Sequence, residues 1–414
     1  MALKLKQRNV SEIASTPKVD TTAIVRGVID EIRATGDQGV RKYSEKFDKW
    51  SPVSFKLSQE EIQSIISTVP QQIINDIKQV QENVRTFALA QRACIKDFEM
   101  EIRPGVHLGH KNVPINSVGA YIPGGRYPLL ASAHMTILTA KCAGVPHVTA
   151  CTPPIAGKIP ANTVAAMYFA GADDIYVLGG VQAVASMAIG TETMKKVDFI
   201  AGPGNAFVAE AKRQLFGEEI GIDLPAGPTE ILIPSTAPTP PAVLITNSKT
   251  IGEKTIAEVD RLLKILPTAD IAAVSWDRLG EVIVVDNLDE AYKLADEYAY
   301  EHVQILTKSP REALEKMSNY GALFLGEKTC VSYGDKCIGT NHVLPTRGAA
   351  RYTGGLWVGK YLKTVTYQEV TSEQESGELG RLCGRSARAE NFEGHARSGD
   401  ARAHQYLGDQ FDWI

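Results

Sequence analysis

Apolar residues recur at helical spacing through the first part of the chain. Residues 21–33 place them every three or four positions after two threonines, which predicts a capped amphipathic helix that ends at Gly36. Residues 58–93 continue this pattern with a break near Pro70, because proline disrupts the interior of a helix. We therefore expect the chain to open with several helices.

From about residue 115, short apolar runs alternate with stretches of helical period, and glycines separate the two. This alternation occurs three times and is typical of βαβ units in a parallel sheet. Strands are predicted at residues 117–121, 174–178 and 197–201, and each is followed by a glycine turn. Because such turns fall at the carboxyl ends of parallel strands, where these sheets bind ligands, we expect them to line one crevice.

A second α/β segment follows, and after it the chain becomes polar. The predicted strands of this segment are residues 230–233, 242–246, 281–285 and 302–306, and its helices are residues 251–263 and 288–299. From about Thr364 the sequence is turn-rich and has little apolar periodicity, so it cannot easily form a core of its own. We expect this tail to dock on the body of the chain or on a partner subunit.

The composition is that of an ordinary globular protein. With 414 residues, 44% of them apolar and 22% charged, the chain has room for two or more domains, and nothing indicates a disordered, fibrous or membrane-spanning protein. A net charge of −4 gives no indication of a nucleic-acid partner. The N-terminus lacks the apolar run of a secretory signal, and Glu12 argues against a transit peptide, so we expect a cytoplasmic protein.

Six cysteines are spread along the chain without the close pairing of a zinc knuckle or a redox motif. Reduced thiols in the core are the simpler interpretation. A nucleophilic cysteine would form a thiohemiacetal during aldehyde oxidation, so Cys151 and Cys330 stay candidates. Neither has a base next to it in the sequence, which weakens that interpretation.

The three glycine turns are the first candidate binding site. None has the three spaced glycines of the dinucleotide motif or the Lys-Ser/Thr pair of a P-loop. One such turn by itself is most simply a connection between a strand and a helix. Three turns in register present Tyr121, Gln182 and Asn205 to a shared ligand, which strengthens the case for a cofactor site.

An adjacent acid and imidazole, Glu301 and His302, form the second candidate site, at the start of a predicted strand. Two such groups on a rigid scaffold edge could divide two proton transfers, although a lone histidine there is more often structural. Asp335 and His342 lie in a glycine-bearing loop, a kind of segment that often carries ligands. Residues 390–399 are also rich in polar groups, and a solvated surface is their simplest interpretation.

Several long motifs, taken together and in this order, resemble the histidinol dehydrogenase family across most of the chain. They are residues 118–125, 202–212, 226–230, 301–302 and 339–345. Residues 354–363 and 393–399 are most similar to the sulfopropanediol dehydrogenase branch of that family. The combination is far more specific than any one glycine turn.

The resemblance and the element pattern together imply an α/β fold with two Rossmann-like, incomplete doubly wound domains. A helical N-terminal segment, residues 1–110, would pack on the second of these domains. The first, NAD-binding domain would occupy residues 111–229 and the second, with the Glu-His pair, residues 230–355. Residues 356–414 would form a small C-terminal extension exchanged between two subunits.

The resemblance also implies a chemistry, the NAD-dependent and zinc-assisted oxidation of a primary alcohol to a carboxylic acid through an enzyme-held aldehyde. His302 would take the proton of the alcohol, and Glu301 would activate water on the aldehyde. Tyr121, Gln182 and Asn205 would contact NAD. The substrate contacts would be Thr229, His302, Asp335, His342, Glu390 and His395. The family is homodimeric, with the tail of one subunit completing the site of the other.

The preferred substrate is 2,3-dihydroxypropane-1-sulfonate, because arginines lie close to the motif residues in the sequence and a sulfonate needs cationic donors. These arginines are Arg347, Arg351, Arg385 and Arg397. L-Histidinol is the alternative substrate. The alternative function is nucleotide binding by a homologue with impaired catalysis.

The zinc site that the resemblance implies is incomplete. Relatives carry a Gln-Ala-Glu-His segment with two zinc ligands after the Gly-Pro-Thr-Glu motif, whereas residues 230–242 contain no His, Gln or Cys. Asp335 and His395 remain as metal ligands, but catalytic zinc normally has three protein ligands. We therefore expect weak zinc binding or none. The segment was lost in evolution, dropped from a faulty gene model or omitted from the sequence, and the sequence leaves these three explanations open.

Overall fold

The computed structural model describes residues 3–8, 21–124, 128–223, 242–346 and 348–414. It divides into two compact units, each assembled from two stretches of the chain. The first unit contains Met1–Gln91 and Ile115–Tyr361, and the second contains Arg92–Pro114 and Leu362–Ile414. The predicted domain boundaries at residues 110, 229 and 355 concern sequence segments and stay a prediction.

The elements alternate between strands and helices through most of the chain. The strands are β1 (Leu3–Lys6), β2 (Phe98–Arg103), β3 (Val106–Pro114), β4 (Ser117–Tyr121), β5 (His147–Thr152), β6 (Asp174–Val177), β7 (Phe199–Ala201), β8 (Gly221–Ile222), β9 (Val243–Thr246), β10 (Glu281–Val284), β11 (His302–Ile305), β12 (Ala322–Leu325) and β13 (Leu362–Val370). The helices up to β9 are α1 (Thr21–Thr35), α2 (Asp37–Asp48), α3 (Gln59–Ser67), α4 (Gln71–Cys94), α5 (Leu130–Ala133, then a π-helical turn His134–Leu138, then Thr139–Ala143), α6 (Ala161–Ala170), α7 (Gly180–Ile189) and α8 (Ala206–Leu215). The later helices are α9 (Lys249–Leu262), α10 (Ala269–Leu279), α11 (Leu288–Tyr298), α12 (Ala313–Lys316), α13 (Val331–Lys336), α14 (Glu373–Ala389) and α15 (Glu393–Leu407), with 3₁₀ turns at Pro310–Glu312, Ala349–Arg351 and Val358–Tyr361.

The opening helices confirm the sequence prediction. Ser58 begins α3 with a capping box, in which its hydroxyl accepts from the backbone of Glu61 and the Glu61 carboxylate accepts from the backbone of Ser58. Pro70 separates α3 from α4. Helix α1 buries one face, formed by Val25, Val28, Ile29 and Ile32, in the core of the first unit.

A five-stranded parallel sheet forms the centre of the first unit. Its strand order is β6-β5-β4-β7-β8, so the direction of winding reverses between β4 and β7. Strands β4, β5, β6 and β7 are buried on both faces, which explains their nearly continuous apolar sequences. In sheets of this kind, ligands bind beyond the carboxyl ends of the strands at the point of reversal. The predicted α/β class is confirmed, and the glycine turns after β4, β6 and β7 lie at this edge.

The second α/β segment contains two smaller sheets within the described residues. Strands β9 and β10 are parallel, and β1 pairs with β10 in the antiparallel direction. Strands β11 and β12 form a separate parallel pair whose core contains Tyr292, Ile305, Ala313 and Met317. The strand predicted at residues 230–233 lies outside the described residues. A second Rossmann-like sheet therefore stays a prediction.

The second unit joins an antiparallel sheet, in the order β13-β3-β2, to a hairpin of α14 and α15. The expectation of a turn-rich tail was wrong for residues 362–407, which form a strand and two helices. The helices pack through small residues, and Gly380 and Gly399 approach so closely that a Cβ on either would collide with backbone of the other. Small residues give little apolar periodicity, so the pattern of larger apolar residues did not reveal this packing. No helix in the described ranges is long and apolar enough to cross a membrane.

Candidate active site

Glu301 and His302 lie where helix α11 gives way to strand β11. The helix ends at Tyr298, and Ala299 reverses the chain with a left-handed backbone conformation (φ 51°). The neighbouring Gly321 approaches the Glu301 backbone so closely that a Cβ there would lie 2.5 Å from the Glu301 carbonyl oxygen. The carboxylate of Glu301 is buried, whereas the His302 ring is partly exposed. The backbone thus fixes both side chains at a strand edge, as the sequence predicts.

The His302 ring lies between two carboxylates. Its Nε2 is 3.3 Å from an Asp335 oxygen, and its Nδ1 is 3.4 Å from a Glu301 oxygen. Burial lowers the pKa of His302, but the contacts with Asp335 and Glu301 raise it more, and the resulting pKa is about 9. In this arrangement the ring holds a proton at neutral pH. It can accept a proton only after one carboxylate turns to another partner.

Asp335 connects His302 to His342. The Asp335 side chain contacts His302, while its backbone carbonyl accepts a hydrogen bond from Nδ1 of His342 at 2.9 Å. Burial raises the pKa of Asp335, but the contact with His302 and the charges of His342 and Lys336 together lower it more, so the net shift is downward. Burial lowers the pKa of His342, which favours its neutral form. Because Nδ1 carries the hydrogen, Nε2 of the neutral ring has the free lone pair.

Asn341 anchors the loop that carries His342, a role that the sequence interpretation missed. Its amide nitrogen donates to the Met135 carbonyl at 2.9 Å, and its amide oxygen accepts from the Val343 backbone. Met135 lies in the π-helical turn of α5, and turns of this kind occur frequently at functional sites. The Tyr361 hydroxyl similarly donates to the Thr136 carbonyl at 3.0 Å. The residues of this turn carry no sequence signal for it, because five buried residues in a row fit an ordinary helix equally well.

The glycine turns meet at Tyr121, the last residue of β4. The Tyr121 hydroxyl accepts a hydrogen bond from the Gly180 backbone at 3.0 Å, which ties the turn after β6 to β4. Gly202, after β7, packs directly on the Tyr121 backbone, and a Cβ there would lie 2.1 Å from the Tyr121 carbonyl oxygen. Burial raises the pKa of the Tyr121 phenol, so it stays neutral. The structure therefore brings the three turns together, as expected for a shared crevice.

Gln182 and Asn205, the other predicted NAD contacts, also have structural partners. Gln182 is fully buried, and its amide nitrogen donates to the Asp48 carboxylate at 2.8 Å. Asn205 is exposed and begins α8, where its side-chain oxygen accepts from the backbones of Phe207 and Val208. Contact of Tyr121, Gln182 and Asn205 with NAD stays a prediction. The geometry places Asn205 nearest to solvent of the three.

The remaining predicted substrate residues lie elsewhere or are not described. Thr229 lies outside the described residues. Glu390 directly follows α14 and His395 lies in the first turn of α15, so both belong to the second unit. Both are exposed, and the His395 ring contacts Phe392 edge to face at 5.5 Å. Their predicted roles stay predictions.

A zinc site does not follow from the described residues. Across these ranges, no group of three or more His, Cys, Asp or Glu side chains is arranged to hold a metal ion. Asp335, the predicted ligand of the first unit, contacts His302. A catalytic zinc ion needs about three protein ligands, so the donor set described here does not fit the metal.

Comparison with known proteins identifies the family. A sequence profile of histidinol dehydrogenases matches residues 12–403. The chain belongs to the histidinol dehydrogenase family. This confirms the resemblance and makes the protein a member of a family of NAD-dependent dehydrogenases. NAD and zinc are the cofactors expected for this family.

The relatives cover nearly the whole chain. A histidinol dehydrogenase homolog of Shouchella clausii is 56% identical over 98% of this chain and 100% of its own length. The sulfopropanediol 3-dehydrogenase of Ruegeria pomeroyi is 42% identical over 98% of this chain and 97% of its own length. The crystal structure of histidinol dehydrogenase from Elizabethkingia anophelis superposes with a TM-score of 0.87 at 30% identity, covering 95% of this chain and 94% of that one.

The alignments also bear on the missing zinc segment. Those with the Shouchella and Ruegeria proteins run over 426 and 427 residues, although this chain has 414. Both alignments therefore contain positions for which this chain has no residue. This is consistent with the absence of the Gln-Ala-Glu-His segment.

Proposed function

We propose that the protein oxidises a primary alcohol to a carboxylic acid in two NAD-dependent steps, through an aldehyde that stays bound. The observation that carries the proposal is the arrangement of Glu301, His302 and Asp335, which places an imidazole between two carboxylates at a strand edge. In the proposed scheme, His302 first loses its own proton when one carboxylate turns to another partner, and the neutral ring then takes the alcohol proton as hydride leaves the carbon. Glu301 then activates the water molecule that attacks the aldehyde. The two steps therefore use neighbouring side chains to take protons from two different oxygens.

The stoichiometry of NADH tests the two-step scheme. The protein, incubated with a limiting amount of alcohol and excess NAD, is expected to form about two NADH per alcohol, since each hydride transfer reduces one NAD. Absorbance of NADH and chromatography of the acid give the two quantities. Release of the aldehyde after a single NADH would contradict the scheme. Glu301→Gln is expected to keep the first transfer and to lose most of the second.

The proposed substrate is 2,3-dihydroxypropane-1-sulfonate. Identity is 42% to a sulfopropanediol dehydrogenase, against 36% and 38% to two histidinol dehydrogenases, a small difference that favours this choice. The arginines support it less: Arg351 donates to the Glu297 carbonyl and Arg397 pairs with Glu393, while Arg347 lies outside the described residues. Arg385 is exposed on α14. Comparing kcat/KM on the sulfonate and on L-histidinol tests the choice, and a preference for histidinol would overturn it.

We further propose a cytoplasmic homodimer in which residues of the second unit complete the site of the other subunit. Alternate residues of β2, namely Phe98, Met100 and Ile102, are about half exposed, and such an apolar stripe is typical of a covered surface. Met100→Lys is expected to shift the mass measured by light scattering from dimer to monomer. Val53→Lys, at an isolated exposed apolar residue, is the control and should leave the mass unchanged.

The alternative is a nucleotide-binding homologue with impaired catalysis. The specific observation in its favour is the incomplete zinc donor set among the described residues. Separate titrations with NAD and with zinc, and metal analysis of protein made from resequenced DNA, distinguish the two functions. NAD binding without zinc uptake and without turnover would favour the alternative over the proposed enzyme.

A further inference from the structure

A buried ion pair lies beside the glycine turn after β7. Lys212 of α8 and Asp223, directly after β8, contact each other, and their side chains are 1% and 0% exposed. Removing two charges from water costs as much free energy as their attraction gains, and apolar side chains often replace such pairs without loss. Stability by itself therefore gives a weak reason for this pair.

The pair binds both the backbone N–H and the backbone carbonyl of Gly202. The backbone N–H of Gly202 donates to Asp223 at 2.9 Å, and the Gly202 carbonyl accepts from the Lys212 ammonium at 3.1 Å. Asp223 is itself fixed, because its backbone N–H donates to the Ile200 carbonyl in continuation of the β7–β8 ladder. Three elements thus converge on one residue: the end of β7, helix α8 and the end of β8.

Gly202 determines the path of the turn. Its φ of 125° lies in a region that favours glycine, and it packs on the Tyr121 backbone of the neighbouring strand. Three residues later, Asn205 caps α8. The ion pair therefore fixes the beginning of the turn, and the cap fixes its end.

We propose that the Lys212–Asp223 pair is a positioning element for the dinucleotide, which sets NAD affinity by holding Gly202 and the turn that leads to Asn205. The inference rests on the proposed function, in which NAD binds at the glycine turns. Lys212 does not act as a phosphate ligand, because its ammonium is buried and its contacts are with Asp223 and Gly202. This distinguishes it from the lysine of a P-loop, which reaches the phosphates directly.

Calorimetric titration with NAD tests the proposal on the whole protein. The double variant Lys212→Met/Asp223→Leu removes both charges together and so avoids leaving one buried charge unpaired. Its Kd for NAD is expected to rise about tenfold or more, since small displacements of binding groups have large effects. Arg213→Met removes an exposed cation from the same helix without touching Gly202, and its Kd should stay within about twofold of the unmodified protein.

Asp223→Asn is the milder variant if the double variant does not fold. It keeps the size of the side chain and one acceptor oxygen, so KM for NAD should rise a few-fold while kcat at saturating NAD stays nearly constant. A lower melting temperature with unchanged Kd and KM would show a purely structural pair and overturn the proposal. Tighter NAD binding by Asp223→Asn would instead indicate that the released Lys212 binds a phosphate of NAD. That result would also overturn the proposal. If the unmodified protein binds no NAD, the proposed function fails as well.

Discussion

The glycine turns and the His302 cluster use polar side chains in opposite ways. At the turns, Tyr121, Gln182 and Lys212 are almost completely buried, and each hydrogen bonds to a backbone group or a side chain of the same unit. In the cluster, His302 and Asp335 are partly exposed and meet each other through longer contacts. The first arrangement holds backbone in place, whereas the second leaves groups able to exchange protons. Polar residues of the turns are therefore expected to affect stability and binding, and those of the cluster to affect turnover.

The largest expected effect is that of His302→Asn on turnover. Removing the proposed base should lower kcat by about 10³-fold or more, while the melting temperature changes little because the ring is partly exposed. NADH formation under saturating alcohol and NAD measures the effect. His147→Asn, at a surface histidine of the same unit, is the control and should retain full activity. If His302→Asn turns over as fast as the unmodified protein, the His302 cluster does not take part in the reaction.

Lys212→Ala is expected to produce the largest loss of stability at the glycine turns. It leaves the Asp223 carboxylate buried without its cation, which should cost about 3–5 kcal/mol of unfolding free energy in a urea titration. Lys196→Ala breaks an exposed pair with Glu219 and should cost less than about 1 kcal/mol. Equal losses in the two variants would mean that burial of the pair has no energetic consequence.

Gly202→Ala should have a smaller but still substantial effect. The new Cβ would meet the Tyr121 carbonyl and the backbone would be strained, which together should cost about 2–3 kcal/mol. Gly217 also has a positive φ, of 90°, but no neighbour within 4 Å, so Gly217→Ala measures the strain of a positive φ without a collision. Urea titrations of both variants give the difference. A difference near zero would show that the sheet accommodates the added methyl group.

The smallest expected effect separates two roles of Asn205. Asn205→Ala removes the cap of α8 and should cost about 1 kcal/mol, whereas Asn205→Asp keeps the acceptor oxygen and should retain stability. If the amide also contacts NAD, Asn205→Asp will weaken NAD binding despite its normal stability. Unchanged NAD affinity in Asn205→Asp would mean that Asn205 caps α8 and does not contact NAD.

The sequence predicted the parallel sheet well because its elements depend on local signals. Strand β4 begins and ends where the apolar run 117–121 indicated, and the helix after β7 begins at the residue following Asn205. The resemblance also provided the identity of Glu301, His302 and Asp335. Their mutual contacts could not be derived, because Asp335 lies 33 residues from His302 and the two meet only in the folded chain.

What sequence patterns missed depends on groups that are distant in the chain or small in size. The role of Lys212 requires Asp223, which lies beyond the following strand, so no motif around Lys212 reveals it. Asn341 was part of a recognised motif, but its partner is a carbonyl oxygen 206 residues away. Helices α14 and α15 pack mainly through glycine and alanine, so few large apolar residues mark the faces that meet.

The second unit is assembled from two distant stretches of the chain, so it cannot fold until synthesis is nearly complete. Strand β3 lies between β2, its neighbour in sequence, and β13, which follows more than 200 residues later. Until the ribosome has released the last part of the polypeptide, one edge of β3 has no strand beside it and is open to pairing with other nascent chains. Messages truncated before residue 362 should therefore yield aggregates and not a smaller working enzyme.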